Sequence, residues 1–415
     1  MLLKRPVELF KSIFSGDIEK KSVSLTDPLA LELFSTFPTV AGPSINAATA
    51  LQVPAVYSAI VLITGTIGSL PAKIFRAEAD GKRTANDHPA YRLVHDEAND
   101  WTSAGQLRAR LTRDALLHNQ GGFAFANRVN GRVVEFIRRD PTKMTVKADE
   151  ATGEPVYEER DGNRIRRYSY RDILHIAAPL DLAPINAGRE AIGLASTLER
   201  NAAGLFKNGM RPSGVLTKDT KAGVGDNGAA VITKIRKAWR DWLQNSNGDP
   251  LILDDGWGYD QATMTSVDAQ FAEMRIQQVN EIARLFRIPP HLIFEMSRAT
   301  WSNAEEMFQA FLTLTLRPWL DEWEWAYARV LLTPEERAES VYVEFVVDDL
   351  MTANAETRAK VYALYRSMGA LTANEVRAGL NREQHADGNT LANPNITPGA
   401  PSAANDNAGP GKEAA

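Results

Sequence analysis

The sequence predicts an α+β chain, mainly helical, in which an antiparallel sheet and a small α/β insert interrupt the helices. Three observations carry this. Ala55, Ala59, Ile63 and Ile67 repeat at helical spacing within the apolar run 53–70. Phe123, Phe125 and Asn127 open a strand-rich region, 121–178, with turn signals at Asn130-Gly131 and Asp161-Gly162-Asn163. Two segments of helical periodicity, 188–208 and 267–287, flank a stretch of mixed strand and helix signals.

Residues 1–50 read as a weakly ordered arm, turn-rich at 22–28 and 36–48 with little to bury. A helix starts near Val53, with apolar residues on several faces, and leads to a short strand at Lys73–Phe75 and a charged turn, Ala79–Lys82. Helices follow at 88–97 and 103–119, then a half-buried antiparallel sheet over 121–178. The helix 188–208 is rich in small residues, among them Gly188, Gly193 and Gly204. Each glycine costs about 1 kcal/mol against Ala, so close approach of a neighbouring helix, such as another copy of itself, is expected. Pro212 prevents its continuation.

The insert 210–265 holds strand signals at 213–217 and 250–253 around an amphipathic helix at 229–243. The next helix, 267–287, spans roughly 31 Å. Phe271, Met274, Ile282 and Leu285 give it an apolar stripe, while Glu273, Arg275, Glu281, Arg284 and Arg287 offer charges to neighbours. Pro289 and Pro290 stop that helix, and the polar run Met296–Asn303 around Trp301 suits a loop. Glu305 and Glu306 open a helix over 304–330, whose stripe includes Phe311, Leu316, Trp319, Trp323 and Tyr327. Pro318 should kink it near Thr315. A strand at 341–347 returns to the sheet, helices follow at 355–368 and 373–380, and 386–415 has almost nothing to bury and is expected to be disordered.

Composition narrows the chemistry. With 415 residues, 44% of them hydrophobic, the chain can bury a large core in two or three domains. The lack of cysteine excludes disulfides and thiolate metal sites, and the six histidines at 88, 95, 118, 175, 291 and 385 show no metal-ligand spacing. There is no phosphate-binding Gly-rich Lys-Ser/Thr loop and no Gly-x-Ser-x-Gly, so no enzyme activity and no cofactor is expected. The enzyme alternative uses Asp254, Asp255, Asp348, Asp349, Glu305 and Glu306 as ligands of two metals, but neighbouring carboxylates on a strand point to opposite faces. Pro54, Gly65 and Gly68 break the apolar run 53–70, so no membrane span is expected, and Lys4, Arg5 and Lys11 lack the apolar region of a secretion signal. A net charge of −5 argues against a general DNA-binding surface.

Three blocks, in order, carry a family resemblance: VPAVYSAIVLITGTIGSLPAKIFR at 53–76, GREAIGLASTLERNAAGLFKNGMRPSGVL at 188–216, and EIARLFRIPPHLIF with ATWSNAEEMFQAFLTLTLRPWL at 281–320. The chain resembles the portal proteins of long-tailed bacteriophages and gene transfer agents. The resemblance implies a portal fold: wing at 51–186 and 304–348, stem helices at 187–209 and 266–287, clip at 210–265, tunnel loop at 288–303 and crown at 349–385. It also implies a homo-oligomeric ring, expected to hold 12 subunits, at one capsid vertex of the virion, assembled in the cytoplasm of the host bacterium. Double-stranded DNA would pass through it during packaging and ejection. The terminase large subunit, the major capsid protein and a head-tail adaptor would be its partners. Arg298, Trp301, Ser302 and Asn303 would face the DNA, Pro289 and Pro290 would form the loop hinge, and Trp242 and Trp257 would serve clip docking.

Overall fold

The computed structural model describes residues 38–78, 81–162, 164–207, 214–218, 233–238, 241, 257–261, 267–295, 304–347, 355–380 and 382–391. Contacts divide the chain into two units, Met1–Phe345 and Val346–Ala415.

The first unit begins with a correction. Residues 38–50, expected as part of a weakly ordered arm, are packed: Ile45 and Ala50 are buried, and Asn46 caps the turn Ala47–Ala50 in a capping box with Thr49. The sequence signal was misleading because the turn residues of this segment bond to a neighbouring helix, as described below. Helix α1, Pro54–Ser69, starts with proline in its first turn and buries Val56, Ala59, Ile60, Ile63 and Ile67. Its other face, with Tyr57 and Val61, is exposed, so the cover is narrower than the apolar run suggested.

Strands β1, Ala72–Glu78, and β2, Gly81–Thr84, form a hairpin. Helix α2, Tyr91–His95, is shorter than the 88–97 expected, because strand β3, Glu97–Asn99, follows at once and pairs with β4, Thr102–Ser103. Helix α3, Ala104–Leu117, is capped by Ser103, whose Oγ accepts from the Gln106 amide at 3.1 Å. It crosses α1 so closely that a Cβ at Gly68 would stand 3.0 Å from the Gly105 carbonyl.

Strands β5, Gly122–Val129, and β6, Arg132–Arg139, join through Asn130-Gly131, both at positive φ, as the sequence signal required. The strand-rich region is two sheets, not one. Pro141 opens a single 3₁₀ turn after β6, and β7, Met144–Ala148, β8, Pro155–Asp161, and β9, Arg164–Ser169, form a separate meander. Strand β10, Ile173–Ile176, then pairs with β5, giving the order β10-β5-β6.

Helix α4, Arg189–Lys207, strand β11, Gly214–Lys218, strand β12, Trp257–Gln261, and helix α5, Val267–Leu285, follow. β11 pairs with β12, while the strand expected at 250–253 lies outside the described residues. Helix α6, Ala304–Ala310, runs through a π segment, Phe311–Leu316, into α7, Arg317–Leu331. Strand β13, Val341–Phe345, pairs antiparallel with β1, from Ala72↔Phe345 to Arg76↔Val341, and so returns to the first hairpin and not to the sheet of β5.

The core forms where α7 lies over α3 and the sheet of β5. Trp319, Leu320, Trp323 and Tyr327 are buried, and the Trp323 indole donates to Thr112 Oγ1 at 3.0 Å. At its centre Arg108, 3% exposed, donates to the carbonyls of Val94 at 2.7 Å and Leu70 at 3.0 Å, with those of Ile67 and Gly68 at 3.4 Å. It also stands 5.6 Å from the Phe345 ring, so one guanidinium ties the end of α1 to α2 and β13.

The second unit holds helices α8, Ala355–Ser367, and α9, Ala373–Gly379, the latter with a Thr372–Glu375 capping box. Buried Asn374 accepts from the His385 amide at 2.7 Å and donates to Asn389 at 2.7 Å. Residues 386–391, part of the expected disordered tail, are therefore held in a turn against α9.

Candidate functional site

Helices α4 and α5 lie side by side and antiparallel. At one end Gly188, just before α4, meets Leu285 with no room for a Cβ; further along, Arg275 approaches Glu199 at 3.9 Å. Gly193 faces another neighbour, since a Cβ there would stand 2.5 Å from Thr39 Oγ1. The arm segment is pinned to the same helix by Thr197 Oγ1 donating to Ala41 O at 3.1 Å and by Val40 N donating to Glu190 at 2.9 Å. Gly188 and Gly193 thus serve packing within the chain, where contact between copies was expected, and Gly204 has open space beside it. Among the charges of α5, Arg284 pairs with Glu281 of its own helix at 2.7 Å. The expected stripe also shifts. Ile282, Ala283 and Phe286 are buried, while Met274 and Ile276 are partly exposed.

The end of α5 is a Schellman arrangement. Arg287 takes φ 59°, its amide bonds to Arg284 O at 3.0 Å, and the Ile288 amide reaches back to Ala283 O at 2.8 Å. Pro289 is extended and Pro290 begins a 3₁₀ turn to Ile293, so the two prolines stop the helix as their ring geometry demands. The turn is braced: Leu292 N bonds to Pro289 O at 3.0 Å and Glu295 N to Pro290 O at 3.1 Å, and the Thr315 hydroxyl donates to Arg287 O from the π segment. Phe294, at φ 67°, is 88% exposed where this turn gives way to residues 296–303.

Beyond residues 296–303, Pro318 accounts for the π segment. It has no amide to close an α-helical bond to Leu314, and the chain instead takes a wider turn in which Arg317 N bonds to Leu312 O. The kink expected near Thr315 is realised this way, and it aims the Thr315 hydroxyl at the end of α5. A cleft of about 520 Å³ lies beside the junction, lined by Ile63, Leu285, Phe286, Thr315 and Trp319.

Of the residues singled out from the sequence, Pro289 and Pro290 sit in this turn, and Trp257 pairs with Lys218 between β12 and β11. Arg298, Trp301, Ser302, Asn303 and Trp242 lie outside the described residues, as do Asp254, Asp255, Asp348 and Asp349. Among the described residues no group of three or more His, Asp or Glu side chains could hold a metal, and no helix is long and apolar enough to cross a membrane.

The phage portal protein family model matches residues 54–381, which takes in both helices, the braced turn and the kinked α6–α7 rod. The chain belongs to the phage portal protein family. A portal relative, described as the probable portal protein of Streptomyces phage phiC31, is 29% identical over 397 residues, covering 89% of this chain and 83% of its own. Two solved necks of gene transfer agent particles contain chains of the same fold. One, empty and computed with C6 symmetry, gives a TM-score of 0.56; the other, native and computed with C12 symmetry, gives 0.53. Both are 22% identical, and each match covers 87% of this chain and all of the other. The α+β portal fold read from the sequence is therefore the observed one. Portal proteins are structural components of particle assembly, without enzyme activity of their own.

Proposed function

We propose that twelve copies of this chain form a ring at one capsid vertex, through which double-stranded DNA is packaged and later ejected. The observation that carries the reading is the antiparallel α4–α5 pair ending in a turn braced against the π segment: a rigid base from which residues 296–303 leave and to which they return. In this reading the pair is the stem, 210–265 the clip, 51–186 and 304–348 the wing, and 349–385 the crown. Arg298, Trp301, Ser302 and Asn303 approach the DNA from the loop. Pro289 and Pro290 fix the angle at which it departs, a more static role than a free hinge. Trp242 and Trp257 contribute to docking of the terminase large subunit and then of the head-tail adaptor, while the wing meets the major capsid protein. The C12 symmetry used for the gene transfer agent neck supports the copy number.

Replacing Met296–Asn303 by a short Gly/Ser linker tests this. Annular particles in electron micrographs with loss of DNA packaging or retention are the expected result. Loss of the annulus would show the loop to be structural, and unchanged packaging would remove it from the DNA path.

A further inference from the structure

A second cleft, of about 600 Å³, opens in the first unit between the Asn130-Gly131 hairpin, Ser169–Asp172 and the end of α7. The hairpin places Arg132 on its rim and Arg128 beneath it. Arg128 is fully engaged, bonding to Asp172 at 3.3 Å, Arg171 O at 2.7 Å and Val330 O at 2.8 Å. Both acids that line the cleft are engaged as well. Asp172 holds Arg128, and Glu336 faces His88 at 3.3 Å and accepts from the Thr333 amide at 2.9 Å. Arg132, Arg171, Arg329 and Arg337 also line the cleft, and among the described residues none of the four has a carboxylate within ion-pair distance. Arg171 is held first by its bond to Tyr170, with the fields of Glu154 and Asp172 adding to it, and the charge of Arg337 is felt by Glu335. Trp325, 59% exposed, forms one wall. Arg171 donates to Tyr170 Oη at 3.3 Å and Arg329 to Ile173 O at 3.2 Å, so Arg132 and Arg337 are the groups left to meet a ligand, and a pocket of five arginines and two acids beside an open indole, in a chain of net charge −5, is a local reversal of sign.

We infer that this cleft docks an acidic peptide segment of another protein, its carboxylates on Arg132 and Arg337 and an apolar side chain against Trp325. Guanidinium forks match carboxylates bidentately, and Trp and Arg beside a pocket are the residue types that dominate binding energy. A duplex is too large to enter a cleft of this volume and could meet only its rim, whereas peptide side chains can enter, which favours the peptide and makes nucleic acid the competing outcome of the test.

The test is fluorescence anisotropy on the full chain with a fluorescein-labelled peptide of alternating Glu and Leu, a Lys/Leu counterpart and a twelve-nucleotide oligothymidine. The acidic probe should bind at least about tenfold more tightly than the basic one, and the R132E/R337E pair should weaken it by at least about tenfold, with a smaller loss in W325A. R132Q/R337Q replaces the charge-reversed pair if the latter lowers the melting midpoint. Acidic-probe binding that survives the arginine changes, equal binding of the basic probe, or oligothymidine bound as tightly through the same arginines would overturn the inference.

Discussion

Arg108 ties separate parts of the core together, because its buried guanidinium donates to carbonyls at the end of α1 and in α2. Arg108→Leu should lower the unfolding free energy by about 3 kcal/mol or more, since buried acceptors left unpaired cost roughly 1–3 kcal/mol each. Arg108→Lys should recover only part of it, a point charge being unable to span several carbonyls. Denaturant midpoints measure both. His175 gives a prediction of opposite sense with pH. It stacks on Phe123 at 4.5 Å and meets Gln120 O at 2.8 Å, and burial first, with the charge of Arg329 adding to it, depresses its pKa to about 4. The unfolded chain takes up that proton near pH 6.5, so the contribution of neutral His175 is complete above 6.5. It falls as pH drops toward 4, by up to about 3 kcal/mol. His175→Phe should flatten the melting midpoint over that window. An equally steep profile in the variant would assign the loss to other groups.

At the scale of elements, the sequence foretold those whose cause is local. Pro289-Pro290 ends a helix wherever it falls, Asn130-Gly131 makes a two-residue hairpin, and Pro318 disturbs the helix near Thr315. What stayed hidden depends on distant partners. Nothing near Val341 indicates that its strand pairs with Arg76, and nothing near Ile45 indicates that Thr39 and Ala41 meet Gly193 and Thr197. Arg108 reads as one more surface charge on a helix until its carbonyls are in place. The candidate site follows the same division: its turn was legible, and its bracing was not. Thr315 is the case to test, since it joins the π segment to the end of α5. Thr315→Val keeps the shape and removes the hydroxyl, leaving Arg287 O without this partner. A loss of about 1–2 kcal/mol is expected. Faster hydrogen exchange should appear at the Arg287, Ile288 and Leu292 amides, with the β5 sheet unaffected; uniform loss of protection would mean the bond supports the whole core.

Across the whole molecule, charge determines what kind of DNA contact a portal ring of these subunits can make. Each copy carries a formal charge of −5, so twelve carry about −60, and a phosphate backbone inside such an annulus meets net repulsion. Sliding needs few attractive contacts, whereas retention by a basic wall would release counterions and make affinity fall steeply with salt. The assembled ring should therefore bind linear duplex DNA weakly, with a slope of log affinity against log salt no steeper than about −2, corresponding to one or two phosphate contacts at most. Filter binding or sedimentation of rings with duplex across a salt series measures it. A slope of about −5 or steeper would require a basic channel lining and would sink the repulsive-wall account, while leaving the ring itself and the loop replacement test untouched.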